Sequence, residues 1–292
     1  MNNRNTPMPL QLHTPVDLPR ADFEIEPCSR MLFVGSCFAD NMGRLFADDC
    51  FRVTVNPYGV MYNPISVGHT IARLSDELPP DDRVDTVVIT LGTNHIYILR
   101  ATGEVVDNCQ KRPQQLFEER EMTVDDTVES LEQTIALITR RWPDAHVILT
   151  VSPIRYRKYG LHGSQLSKSV LLLATAEIER RHPHVSYFPS YEIMNDELRD
   201  YRFYAEDMIH PSTQAVAYIH ECMGRVYFGS AMTRFLAEWL PVKAALNHRP
   251  FDPENAGYKD FMNKTMARVD ALSKKYNNFA LNFKIERNDL YY

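Results

Sequence analysis

The chain has 292 residues, a hydrophobic content of 44% and a formal net charge of −6. These values suit one large α/β domain, alone or with a helical appendage, and argue against a general affinity for nucleic acid or acidic membranes. The five cysteines are scattered without CxxC spacing, which excludes a disulfide framework and an obvious zinc site. Residues 1–20 contain four prolines and no apolar run, so no signal peptide or membrane span is predicted there, and we expect a cytoplasmic protein.

The first predicted strand ends in a turn that carries two potential nucleophiles. Four apolar residues, 31–34, lead into Gly35-Ser36-Cys37, and apolar residues at helical spacing follow. A buried parallel strand that turns into a helix presents side chains at the carboxyl edge of the sheet, where α/β folds place their sites. The turn also has a structural interpretation, in which Ser36 caps the helix and Cys37 fills space.

Two further segments follow this strand–helix unit. Residues 56–64 contain two Asn-Pro pairs around Gly59 and predict a structured loop, which is either a connecting turn or a wall of the site. Residues 84–92 predict a β-branched strand that ends at Gly92, directly before Thr93-Asn94. A hairpin-like excursion then leads to Asn108, which either lines a pocket or belongs to an ordinary loop.

The later segments continue the alternation of strands and helices. Residues 146–151 predict a strand that precedes Ser152, Pro153 and Arg155, and residues 185–188 predict the last core strand. Between them, Leu166, Val170, Leu173 and Ile178 predict the apolar stripe of a helix. This alternation predicts a parallel sheet that is covered by helices on both faces.

Asp207 and His210 lie just before another predicted helix. An aspartate three residues before a histidine can reach one ring nitrogen, fix the tautomer and stabilise the imidazolium, while the other nitrogen faces a nucleophile. The pair also has a plain alternative, since Asp and His in such loops often bind nearby backbone groups.

Together, Gly35-Ser36-Cys37, Gly92-Thr93-Asn94 and Asp207-Met208-Ile209-His210 resemble the three blocks of the SGNH (GDSL-type) hydrolase superfamily. Residues 35–39, Gly-Ser-Cys-Phe-Ala, match the motif that names its GSCFA-domain family. The resemblance covers roughly residues 28–230. It implies a flavodoxin-like three-layer α/β/α sandwich and hydrolysis or transfer of acyl esters, often on carbohydrates, without a metal or organic cofactor.

The resemblance also implies roles for individual residues. Asp207 and His210 complete a triad, Asn94 donates to the oxyanion, and Gly59 is the nearest candidate for a second glycine donor. Three further residues are expected to contact a small-molecule or glycan ester: Gly92, Asn108 and Arg155.

The nucleophile departs from the superfamily pattern, because alignment on the glycine places Ser36 on the usual Asp and Cys37 on the usual Ser. A helix amino terminus would stabilise a Cys37 thiolate, so Cys37 is preferred to Ser36. An inactive scaffold, a non-catalytic carbohydrate- or partner-binding module and a thiol redox sensor are the alternatives. The expected organisation is a lead segment at 1–27, a catalytic domain at 28–240 and a helical extension at 241–292, with residues 241–255 as a linker.

Overall fold

A parallel sheet forms the centre of the computed structural model, which describes residues 14–109, 112–252 and 255–281. The expected segments 1–27 and 241–292 therefore lie partly outside the described residues. The described strands are Arg30–Gly35 (β1), Arg52–Val55 (β2), Thr86–Leu91 (β3), His95–Leu99 (β4), Val105–Val106 (β5), Phe117–Glu121 (β6), His146–Val151 (β7) and Val185–Tyr187 (β8).

Helices connect these strands and cover the sheet. The described α-helices are Cys37–Asp48 (α1), Pro64–Glu77 (α2), Val124–Arg141 (α3), Gly160–Arg181 (α4), Ser190–Glu192 (α5), Thr213–Tyr227 (α6), Ser230–Leu246 (α7) and Ala256–Lys275 (α8). Short α5 continues into a π-helical turn at Ile193–Glu197.

The central sheet has the strand order β2-β1-β3-β7-β8, and all of its neighbouring pairs are parallel. Counted along the chain, this is the 2-1-3-4-5 order of flavodoxin-like folds, in which ligands bind at the carboxyl ends where the order reverses. That point lies between β1 and β3. The topology therefore predicts a ligand site near the residues that follow Gly35 and Leu91.

Two hydrophobic cores lie on opposite faces of the sheet. Phe33 of β1 packs into the core that contains residues of α1, α6 and α7, whereas its neighbour Val34 packs into the core with α2, α3 and α4. Successive strand residues point to opposite faces, so a fully apolar strand serves both cores at once. The predicted three-layer α/β/α sandwich is thus confirmed.

Two strands were not predicted by the sequence pattern. β2 is a four-residue edge strand in which exposed and half-buried residues alternate. β6 has the sequence Phe-Glu-Glu-Arg-Glu and pairs with β4 in a separate three-stranded sheet of order β5-β4-β6. The alternation of polar and apolar residues in β2 spans only four residues and is a weak strand signal, whereas β6 has no apolar periodicity.

The C-terminal helices are joined to the domain differently from the expected linker. α7 runs through Pro241 and ends at Leu246, so the expected boundary at 240/241 lies inside a helix. α8 packs against α7, with the rings of Phe235 and Tyr276 4.8 Å apart and Nζ of Lys275 2.6 Å from Oε1 of Glu238. Among the described residues, no helix combines the length and apolarity that crossing a bilayer requires.

Candidate functional site

The turn after β1 is built around a glycine that no other residue could replace without a shift. Gly35 has φ +141°, and a Cβ there would lie 2.1 Å from the carbonyl oxygen of Thr90 on β3. Its N–H donates to Oδ1 of Asn56 at 2.8 Å. Because only glycine combines this backbone conformation with so close an approach, Gly35 fixes how the chain leaves the sheet.

Ser36 is a buried structural residue, with 1% of its surface exposed. Its Oγ lies 2.9 Å from Oγ of Ser152 and 3.0 Å from Oγ1 of Thr90, and it accepts from the N–H of Phe38 as the N-cap of α1. A hydroxyl has one donor and two acceptor positions, and these contacts use all three. Ser36 therefore ties the ends of β1, β3 and β7 together.

Cys37 is the first residue of α1 and is half-buried. Burial raises the pKa of its thiol to about 11, with a further contribution from the Asp40 carboxylate, while the N–H groups of Cys37 and Phe38 and the Lys168 amine lower it. The expectation that the helix terminus would favour the thiolate is therefore wrong in its net effect. Removal of the sulfur from water outweighs the helix dipole, so at neutral pH Cys37 is a thiol.

Asp207 and His210 form a close pair. Nδ1 of His210 lies 2.6 Å from Oδ2 of Asp207, whose Oδ1 accepts from the N–H groups of Ile209 and His210 at 2.8 and 3.0 Å. Partial burial raises the pKa of Asp207, but these hydrogen bonds outweigh it and lower the pKa to about 2. The carboxylate therefore stays charged down to strongly acidic pH and holds one ring nitrogen of His210 as a donor.

The Asp207–His210 loop is attached to the carboxyl edge of the sheet. The N–H of Arg155, four residues beyond β7, donates to the carbonyl oxygen of Ile209 at 3.2 Å. Cys37 and Ile209 both pack against the core that includes α1 and α6. In the described part of the chain, no hydrogen bond joins Sγ of Cys37 to the ring of His210. Catalytic hydrogen bonds are often long before substrate binds.

The two expected oxyanion donors, Asn94 and Gly59, differ in whether an N–H group is left for the oxyanion. Asn94 is buried, and its Nδ2 donates to the carbonyl oxygen of Met122 at 2.7 Å, which leaves the second N–H of the amide for another acceptor. The single N–H of Gly59 donates to the carbonyl oxygen of Asn56 at 2.8 Å, within a turn. Gly59 thus has no N–H left for an oxyanion, and it takes no part in the proposal below.

The three expected substrate contacts are placed in different surroundings. Gly92 donates its N–H to the carbonyl oxygen of Tyr62, and a Cβ there would lie 2.8 Å from the hydroxyl of Tyr156, so close packing explains the glycine. The guanidinium of Arg155 lies 4.2 Å from the ring centre of Tyr204. Asn108 is exposed in the loop after β5. Gly92 therefore packs against the 56–64 loop, and Arg155 contacts the segment that carries Asp207 and His210.

The loop at 56–64 connects two elements and lies against the edge of the sheet that carries the candidate site. It joins β2 to α2, and the N–H of Met61 donates to the carbonyl oxygen of Gly35 at 2.8 Å. The carbonyl oxygen of Tyr62 accepts from the N–H groups of Gly92 and Thr93. The loop thus bridges the ends of β1 and β3.

Sequence reasoning missed Lys168, which is almost fully buried on α4. The predicted stripe is wrong for Leu166 and Leu173, whose surfaces are 54% and 61% exposed. The buried face of this helix instead consists of Ser164, Ser167, Lys168, Leu171, Ala174, Thr175 and Ile178. A lone lysine at helical spacing among small and apolar residues was the available signal.

The fold and the turn at Gly35 define a flavodoxin-like α/β/α protein with a candidate site at the switch point of its sheet. The sequence matches the GSCFA family over residues 30–84 and 81–223, and it matches "GSCFA domain protein, C-terminal domain" over residues 239–290. The chain belongs to the GSCFA family. No curated protein matches it.

Several solved structures are similar to this chain. A member of the lipolytic protein G-D-S-L family from Veillonella parvula has 12% identity and a TM-score of 0.47, over 68% of this chain and 98% of its own. A Corynascus carbohydrate esterase family 2 enzyme with a carbohydrate-binding domain has 14% identity and a TM-score of 0.46, over 74% and 69%. A putative acylhydrolase from Bacteroides fragilis has 14% identity and a TM-score of 0.44, over 75% and 92%.

Proposed function

We propose that this protein is an esterase or a related acyltransferase that acts on an acylated carbohydrate or another small ester. The observation that carries the proposal is the 2.6 Å contact between Asp207 and His210, in a loop attached to the same edge of the sheet as Cys37. A charged carboxylate that orients an imidazole beside a nucleophile-bearing turn is the arrangement that acyl transfer requires. The family resemblance supports an ester as the substrate.

Cys37 is the proposed nucleophile, because the contacts of Ser36 occupy its hydroxyl fully. Since the thiol keeps its proton at neutral pH, Nε2 of His210 takes that proton as the C–S bond forms. The tetrahedral adduct then expels the alcohol, which receives the same proton, and leaves a thioester on Cys37. Water or an acceptor hydroxyl attacks the thioester and releases the acyl group.

The oxyanion of the tetrahedral adduct needs hydrogen-bond donors that already point toward it. The backbone N–H of Cys37 at the start of α1 and the second N–H of the Asn94 amide are the proposed donors. Each such donor contributes about 3 kcal/mol in acyl-transfer enzymes. This scheme uses no metal or organic cofactor.

The proposal is tested by rapid mixing of the protein with an aryl ester of a short-chain acid. We expect a burst of aryl alcohol close to the enzyme concentration, followed by steady turnover, because an activated aryl ester should acylate the thiol faster than water hydrolyses the thioester. Heat-unfolded protein is the control for reaction at surface thiols. Binding of acylated or free sugars without any release of alcohol would instead identify a non-catalytic binding module.

A further inference from the structure

Lys168 reaches from α4 to the edge of the sheet that carries the candidate site. Its side chain is almost fully buried, and its Nζ donates to the carbonyl oxygens of Gly92 at 2.6 Å and Ser152 at 2.7 Å. These residues directly follow β3 and β7, which are neighbours in the sheet. The amine therefore bridges the carboxyl ends of two central strands.

No carboxylate among the described residues forms an ion pair with Lys168, whose other close neighbours are the rings of Tyr156 and Tyr191. A buried ammonium that pairs only with carbonyl dipoles and ring faces carries a large desolvation cost. This burial lowers the pKa of Lys168 to about 7. Burying the Lys168 amine therefore costs stability, and a functional role would explain why a lysine occupies this position.

The charge of Lys168 acts on the thiol of Cys37. Oγ of Ser152 contacts Oγ of Ser36 at 2.9 Å, and Cys37 follows in the chain, so the amine lies close behind the start of α1. Lys168 lowers the pKa of Cys37, and a Cys37 anion raises the pKa of Lys168. Asp40 on α1 opposes this effect. Desolvation contributes most to the raised pKa values of two tyrosines, Tyr62 and Tyr156, and a charge on Cys37 also raises them.

We propose that Lys168 is a positioning residue for Cys37: its ammonium favours negative charge on the sulfur, while its two hydrogen bonds hold Gly92 and Ser152 at the floor of the site. This role rests on the proposed function for its purpose. The Lys168–Cys37 coupling itself is independent of turnover. It predicts that the thiol loses its proton more easily while Lys168 is charged.

The coupling is tested by alkylation with iodoacetamide, followed separately at each cysteine by mass spectrometry of peptides. In Lys168→Met, we expect Cys37 to react at least about threefold more slowly than in the wild type at pH 6.5, where Lys168 is largely protonated. At pH 9.5 the amine is neutral, so the two proteins should differ by less than about twofold. Cys109, which lies near Lys158 and Arg112 and shows no coupling to Lys168, is the internal control.

A Cys37 rate that is unchanged at pH 6.5 would overturn the inference. So would a loss of equal size at both pH values, because that would reflect a structural change alone. Lys168→Gln is the second variant and should behave like Lys168→Met.

If neither variant folds, the His210→Ala protein is measured instead, because it lacks the proposed general base and keeps Lys168 at the ends of β3 and β7. Its Cys37 rate should rise less steeply than that of Cys109 between pH 6 and 8, and parallel profiles would overturn the inference.

This experiment is separable from the test of the proposed function. An alkylation difference in a protein that releases no aryl alcohol from the ester, either as a burst or in steady turnover, would support the coupling and reject the esterase. A burst with no alkylation difference would support the esterase and reject the role of Lys168.

Discussion

Cys37→Ala should lower the turnover of a short-chain aryl ester by about 10⁴-fold or more, whereas Ser36→Ala should keep at least about a tenth of the wild-type rate. The difference follows from their contacts, because Ser36 is buried and fully hydrogen-bonded while the Cys37 thiol is only half-buried. Steady-state kcat/KM for both variants gives the comparison. Cys109→Ala, which removes another half-buried thiol, is the matched control and should match the wild type.

Ser36→Ala should instead affect stability. It removes the N-cap of α1 and leaves the hydroxyls of Thr90 and Ser152 without one partner each, so we expect a loss of about 1–2 kcal/mol in the free energy of unfolding. Urea denaturation measures it. If Ser36→Ala is inactive but folded and Cys37→Ala retains wild-type turnover, Ser36 is the nucleophile and our assignment is wrong.

Asp207→Asn should reduce kcat about 10⁴-fold with the fold intact. The amide oxygen can still accept from the N–H groups of Ile209 and His210, but an amide N–H facing Nδ1 would favour the wrong tautomer of the His210 ring. The measurement is kcat and KM with the same aryl ester, and His210→Ala should lose at least as much activity. A change confined to KM, or near-normal turnover, would mean that Asp207 only shapes the loop.

Two matched variants serve as controls for this comparison. The Asp200 side chain is about half-exposed, and its Oδ1 accepts from the backbone N–H of Arg202, two residues later. Asp200→Asn therefore makes the same chemical change in a neighbouring loop. His248 is exposed after α7, so His248→Ala removes an imidazole elsewhere in the chain. Both variants should retain wild-type kcat.

Much of this fold could be predicted from the sequence because buried parallel strands are encoded by contiguous residues. The apolar runs ending at Gly35, Leu91 and Val151 identify three strands of the central sheet, and the residues that follow them mark the edge that carries the candidate site. Edge strand β2 and the charged strand β6 depend on their partners instead. β2 alternates over only four residues and β6 has a single apolar residue, so pairing with neighbouring strands settles both assignments.

The candidate site was less accessible to sequence reasoning, because its properties come from contacts between distant segments. The motif drew attention to Gly35-Ser36-Cys37, but it could not show that Thr90 and Ser152 occupy the Ser36 hydroxyl. It also suggested a stabilised thiolate. The structure shows that burial dominates, since the helix amino terminus alone does not decide the pKa of Cys37.

The central claim is that an acyl group passes through Cys37 on its way from the ester. The most direct measurement is to quench the reaction with an aryl ester in acid during the burst, digest the protein and locate the added acyl mass by fragmentation. We predict one acyl group on Cys37, removed by neutral hydroxylamine as a thioester should be, and no such adduct in the Cys37→Ala protein. Acyl mass on Ser36, or a burst of alcohol with no covalent adduct at Cys37, would contradict the account.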